Sequence, residues 1–152
     1  SSQIRERLRQ GDLRGVDEML GRPYAIQGRV VRGEQRGTRL GFPTLNVAYP
    51  PDQITPANGI YATWTWIDLE GLPRRAPSVT SVGLRPTFDP PILTPRVEAH
   101  LIDYQGDLYD TLARVEFLEY LRPELKFPSA QALIDQMAQD TQQAREVLAH
   151  AA

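Results

Sequence analysis

The chain has 152 residues, 41% of them hydrophobic, with no cysteine and a formal charge of −2 at pH 7. That length sustains one domain with a proper core and hardly two, and a near-neutral charge without blocks of like sign excludes binding to nucleic acid or membrane surfaces through a basic excess. The missing cysteines exclude disulfides, thiolate metal sites and cysteine nucleophiles.

No apolar run reaches the length of a membrane span, and the start, Ser1 to Gln10, is charged rather than signal-like, so a cytoplasmic protein is expected. Ser1 to Gly21 reads as two short helices: Ile4 and Leu8 sit one turn apart, Val16, Met19 and Leu20 form a second small apolar face, and Gly11 and Gly21 are helix stops. This charged start reads as a connector rather than a core element. Tyr24 to Arg32 alternates, with Tyr24, Ile26, Gly28 and Val30 on one side, and is the first strand.

Thr44 to Val47 can form a short strand, and the turn-rich 49–59 stretch leads to a third, Gly59 to Asp68, rich in aromatic and β-branched residues. Ser78 to Val82 and Arg96 to Ile102 follow as strands, separated by a proline-stiffened loop from Gly83 to Pro95. Leu112 to Leu118 alternates as a sixth strand. A helix over Ser129–Ala149 closes the chain, with Leu133, Ile134, Met137, Thr141, Ala144 and Leu148 at helical spacing and Ser129 as its N-cap. Short strands without crossover helices between them predict a mainly β fold, a six-stranded antiparallel, Greek-key β-barrel. The long C-terminal helix and the short N-terminal helices complete it.

One stretch, Gly33 to Asn46, exceeds what packing requires. Gly33, Gly37 and Gly41 let the backbone approach a ligand and aim N–H groups at an anion, and Arg36 and Arg39 add charge for phosphate oxygens. By itself such a loop between strands is more often a solvated turn. In Phe42-Pro43-Thr44-Leu45-Asn46, the side chains of Thr44 and Asn46 leave one face of a strand with neutral oxygens of the kind magnesium takes beside phosphates; a polar edge strand is the alternative. Glu98 and His100 share one face of the fifth strand, opposite Val97, Ala99 and Leu101. A carboxylate inside a strand needs a wet face or a task, and at a barrel mouth Glu98 could take a proton from an alcohol. It is preferred to His100, for which no Ser-His-Asp partnering is visible.

These residues bring the chain close to a known pattern. Gly28-Arg29-Val30-Val31-Arg32-Gly33 running into Arg36-Gly37 and Leu40 to Asn46, then Gly59-Ile60-Tyr61-Ala62, then Ser81 to Phe88 with Val97 to Leu101, then Asp107-Leu108-Tyr109 with Leu121 to Phe127 resemble the riboflavin kinase family. The likeness is greater to the C-terminal riboflavin kinase module of bacterial bifunctional FAD synthetases, with residues 1–21 similar to the linker from a preceding FMN adenylyltransferase module and 22–152 to the kinase domain. The resemblance implies a six-stranded barrel that phosphorylates the riboflavin 5′-hydroxyl with ATP, giving FMN and ADP. Carried over by position, it implies Mg²⁺ on Thr44 and Asn46 and a flap over the ATP phosphates from Gly33, Arg36, Gly37 and Arg39, with Phe42 and Pro43 beside it. It further implies Glu98 as general base, Leu108 and Tyr109 on the adenine side, and Arg122, Glu124 and Phe127 on the flavin side. Two positions depart from the pattern: Leu45 stands where alanine is usual, and Asp110 where glycine commonly follows Leu-Tyr. A flavin- or nucleotide-binding barrel without turnover is the competing expectation.

Overall fold

A computed structural model describes residues 2–31, 44–83, 95–104, 106 and 108–150. Helices α1 (Ser2–Arg9) and α2 (Leu13–Leu20) precede strands β1 (Tyr24–Val31), β2 (Thr44–Ala48), β3 (Gly59–Ile67), β4 (Arg74–Gly83), β5 (Arg96–Leu101) and β6 (Leu112–Arg122), and helix α3 (Ala130–His150) ends the described chain. The strands close a barrel in the order β1-β2-β5-β4-β3-β6, and every neighbouring pair is antiparallel.

Alternation sets which side chains enter the barrel. Ile26 and Val30, Leu45 and Val47, Tyr61 and Ile67, Val82, Val97 and Ala99, Val115 and Phe117 make one buried apolar cluster. Each fully buried aliphatic or aromatic side chain stabilises the fold by about 1.5–3 kcal/mol. Thr63, Thr65, Ser78 and Thr80 also point inward, fully buried. Their hydroxyls satisfy one another, Thr63 with Ser78 at 2.6 Å, Thr63 with Thr80 at 2.7 Å and Thr65 with Ser78 at 2.7 Å, which removes the cost of burying them. At Gly28 the backbones of β1 and β2 touch: a Cβ there would lie 2.0 Å from the Ala48 carbonyl oxygen.

The N-terminal helices differ from expectation. Leu8, Leu13 and Val16 are buried within the barrel's own apolar cluster, so this segment builds core rather than merely connecting. Of the apolar face expected from Val16, Met19 and Leu20, only Val16 is buried; Met19 and Leu20 are exposed, because α2 turns its Leu13–Val16 side to the barrel. The stops are as read: Gly11 and Gly21 adopt φ of 76° and 73°. β4 begins four residues earlier than expected, at Arg74, because Pro77 lies where β4 pairs with β3 alone; β5 joins only from Ser78.

α3 packs on the outer face of the sheet, where Ala144 meets Ile60, Ala62, Val79 and Ile102. Ser129 caps it, its Oγ accepting from the Ala132 amide at 3.1 Å. Thus α3 covers the outside of β3 and β4, and the outer faces of β5 and β2 follow next in the barrel order.

Candidate active site

β2 is buried on both faces. Leu45 and Val47 point into the core, while Thr44 and Asn46, 6% and 8% exposed, point to the outer face of the barrel wall. Leu45, where the family pattern has alanine, therefore fills core volume and leaves the Thr44–Asn46 face unchanged. Antiparallel pairing sets Thr44 opposite His100 and Asn46 opposite Glu98. On the other side of β5, Ser81 lies opposite Glu98 and Val79 opposite His100. Direct cross-strand partners have Cβ atoms about 4.5–5.5 Å apart, so the amide of Asn46 and the carboxylate of Glu98 share one site. Glu98 therefore faces outward from the barrel wall, in a cross-strand row that ends on the last residues of β1 and β6, and it is only 5% exposed.

Two cross-strand rows organise this surface. Thr44, His100, Val79 and Ala62 form one; Val31, Asn46, Glu98, Ser81, Ile60 and Arg122 form the other. In the first row, Thr44 Oγ1 lies 3.0 Å from His100 Nδ1. His100 thus orients the Thr44 hydroxyl, a task that the sequence did not suggest although both residues were singled out. In the second row, Arg122 arrives by way of two irregularities in the pairing of β6 with β3. Continued without them, the register would set Tyr120 opposite Ile60 and carry Arg122 past the end of β3.

Arg122 donates Nε to Asp140 Oδ1 at 2.9 Å and Nη2 to Oδ2 at 2.7 Å, a two-pronged pair with α3. Its guanidinium also lies 5.8 Å from the centre of the Phe127 ring. Asp140, 3% exposed, is the residue that sequence reading missed here. Its signal was an acid on the apolar stripe between Met137 and Ala144. Glu124 reaches back onto the sheet: a Cβ on Gly83 would meet its carboxylate at 2.2–2.3 Å. Gly83 is the register partner of Arg96, whose Nη1 stands 3.9 Å from Glu98 Oε1. Tyr49, just after β2, donates its hydroxyl to the Pro95 carbonyl and so ties the start of β5 to β2; burial pushes its pKa up.

Leu108 is buried in the main cluster, and Tyr109 packs against it. Asp110 takes the role glycine has in the family pattern, with φ 65°, a left-handed conformation that aspartate tolerates. Its amide donates to the Val30 carbonyl at 2.8 Å. The turn therefore abuts β1 one residue before Val31, the partner of Asn46. Gly33, Arg36, Gly37, Arg39, Phe42 and Pro43 lie outside the described residues, as does most of the Gly83–Pro95 loop.

Thr44 and Asn46 supply two neutral, hard oxygens side by side, which suits magnesium that takes the rest of its coordination from phosphates and water. A carboxylate next to them, near a guanidinium and screened from solvent, suits proton abstraction from a hydroxyl held against the same face.

The family model described as "Flavokinase: Riboflavin kinase" matches residues 20–148. The bifunctional riboflavin kinase/FMN adenylyltransferase of Listeria monocytogenes is 32% identical over 150 residues, covering 98% of this chain and 46% of that protein. The chain spans about half the length of the curated relatives it matches. Among solved structures, the macrolide-efflux protein from Streptococcus pneumoniae superposes with a TM-score of 0.85 at 30% identity, over 95% of this chain and 46% of that one. The riboflavin kinase from Trypanosoma brucei gives a TM-score of 0.60 at 25% identity, over 83% and 80%. Among the described residues no helix is long and apolar enough to cross a membrane.

Proposed function

We propose that this chain, which belongs to the riboflavin kinase family, transfers the γ-phosphoryl group of ATP to the riboflavin 5′-hydroxyl, releasing FMN and ADP. The observation that carries this reading is the register of β2 on β5, which joins Asn46 to Glu98 and keeps Thr44 two residues along the same face.

In the proposed mechanism the Glu98 carboxylate accepts the proton of the 5′-hydroxyl. That oxygen then bonds to the γ-phosphorus as the bond from phosphorus to the β–γ bridging oxygen breaks, and ADP leaves. Thr44 and Asn46 would hold Mg²⁺, with His100 fixing the Thr44 hydroxyl; when bound, the ion neutralises charge on the phosphates. Gly33, Arg36, Gly37 and Arg39, with Phe42 and Pro43, would cover those phosphates. Leu108 and Tyr109 would lie on the adenine side. Arg122, Glu124 and Phe127 would form the flavin side, Arg122 by its plane and position, since Nε and Nη2 donate to Asp140 and Nη1 to the Pro123 carbonyl. Alignment of the two reacting oxygens, together with neutralisation of charge on the γ-phosphoryl group, accounts for most of the rate in such a reaction. Residues 1–21 would connect the kinase domain, 22–152, to an FMN adenylyltransferase module in a cytoplasmic protein, a reading supported by relatives named as bifunctional.

Incubation with riboflavin, ATP and Mg²⁺, followed by chromatography, should yield FMN and ADP in equal amounts. Binding of riboflavin and ATP without product would favour the binding-only barrel and end this reading.

A further inference from the structure

We propose that Arg96 is a positioning residue for Glu98 and links it to the flavin-side segment through Glu124. This rests on the reading of Glu98 as the general base. Arg96 is two residues from Glu98 on β5, so both side chains leave the outer face. Their facing atoms, Nη1 and Oε1, are 3.9 Å apart and both are shut off from solvent. At that separation the attraction is charge rather than a hydrogen bond between these two atoms. It draws the carboxylate along the strand towards Arg96 and so sets its aim.

The second link comes from an omission. Gly83, directly across the β4–β5 ladder from Arg96, has no side chain, and the carboxylate of Glu124 takes that space. Two carboxylates therefore flank the place of Arg96 on the sheet, one along its own strand and one across the ladder. The other ionisable group on this face of β5 among the described residues is His100, which is held by Thr44. Because Glu124 belongs to the segment after β6 that also carries Phe127, placement of that segment and aim of the base run through one guanidinium. A guanidinium can serve both because its donors diverge in a rigid plane, which an ammonium lacks.

The experiment is a double-mutant cycle on the whole chain, with kcat and both KM values measured for Arg96→Ala, Arg96→Lys, Glu98→Gln and the Arg96→Ala/Glu98→Gln pair. Misplacement of a base by about 1 Å costs about 10²-fold. The expected result is a kcat loss of roughly 10–100-fold for Arg96→Ala with KM for ATP nearly unchanged, partial recovery in Arg96→Lys, and no further loss when Arg96→Ala is added to Glu98→Gln. Should Arg96→Ala fail to fold, as melting would reveal, Arg96→Gln keeps the reach, loses the charge and takes its place. Losses that multiply in the pair would mean Arg96 acts independently of Glu98 and would overturn the proposal. If Glu98→Gln is slow and Arg96→Ala is not, the proposal alone fails. If Glu98→Gln itself turns over normally, the general-base reading fails and takes this one with it.

Discussion

Asn46 and Glu98 stand directly opposite one another on β2 and β5, more than fifty residues apart in the chain and both buried on the outer wall of the barrel. Neither faces the interior, so the barrel core holds the site in place without taking part in it. Glu98→Gln keeps shape and burial while removing the base. Turnover should fall by about 10²–10⁴-fold with the fold intact; steady-state kinetics beside a melting curve checks both, and an unchanged kcat removes Glu98 from the role.

Magnesium should bind poorly without nucleotide, because Thr44 and Asn46 contribute no charge to it. Calorimetry on the nucleotide-free chain should detect little Mg²⁺ binding, and tight binding would count against the assignment. Thr44→Val, which preserves volume, should raise the MgATP needed for half-maximal rate roughly tenfold, equivalent to one lost contact of about 1.4 kcal/mol.

The Arg122–Asp140 pair ties β6 to α3 with both partners largely removed from water, their side chains 16% and 4% exposed. Asp140→Ala would leave the guanidinium without its partner and should cost about 3–5 kcal/mol in denaturant unfolding. Replacing both, Arg122→Met with Asp140→Leu, should cost much less, because no charge is stranded. Equal losses in the two experiments would argue against a paired role.

Gly83→Ala should be tolerated by the fold, since the group in the way is the end of the flexible Glu124 side chain rather than backbone. It should nevertheless expel that carboxylate from the sheet. Riboflavin affinity, followed by flavin fluorescence, should weaken while melting stays near that of the parent; unchanged affinity would separate Glu124 from the flavin side.

Burial raises the pKa of Asp17 from 3.8 to about 6, against the bond it accepts from the Tyr24 amide. The folded state therefore holds this proton more tightly than the unfolded one. The stability this gives is present below about pH 4 and is lost as pH rises towards about 6. Asp12, Glu70 and Asp103 shift downward and act in the opposite sense. The difference in melting temperature between Asp17→Asn and the parent isolates the effect: it should grow in favour of the variant from pH 4 to pH 6 and then level off. A flat difference would contradict it.

Much of this molecule was legible in its residues, because side-chain alternation and helical spacing are local. The interior faces of β1, β5 and β6, the Ser129 cap and the glycine stops follow from neighbours a few positions apart. Thr44 and Asn46 could be placed on one face for the same reason. The outer-wall location of that face could not, since alternation separates two sides without saying which one a barrel encloses. Only the closed order β1-β2-β5-β4-β3-β6 brought Glu98 to Asn46, His100 to Thr44 and Glu124 to Gly83. These meetings depend on strand register and on two irregularities in β6, which arise from pairing between distant segments and leave no period in the sequence.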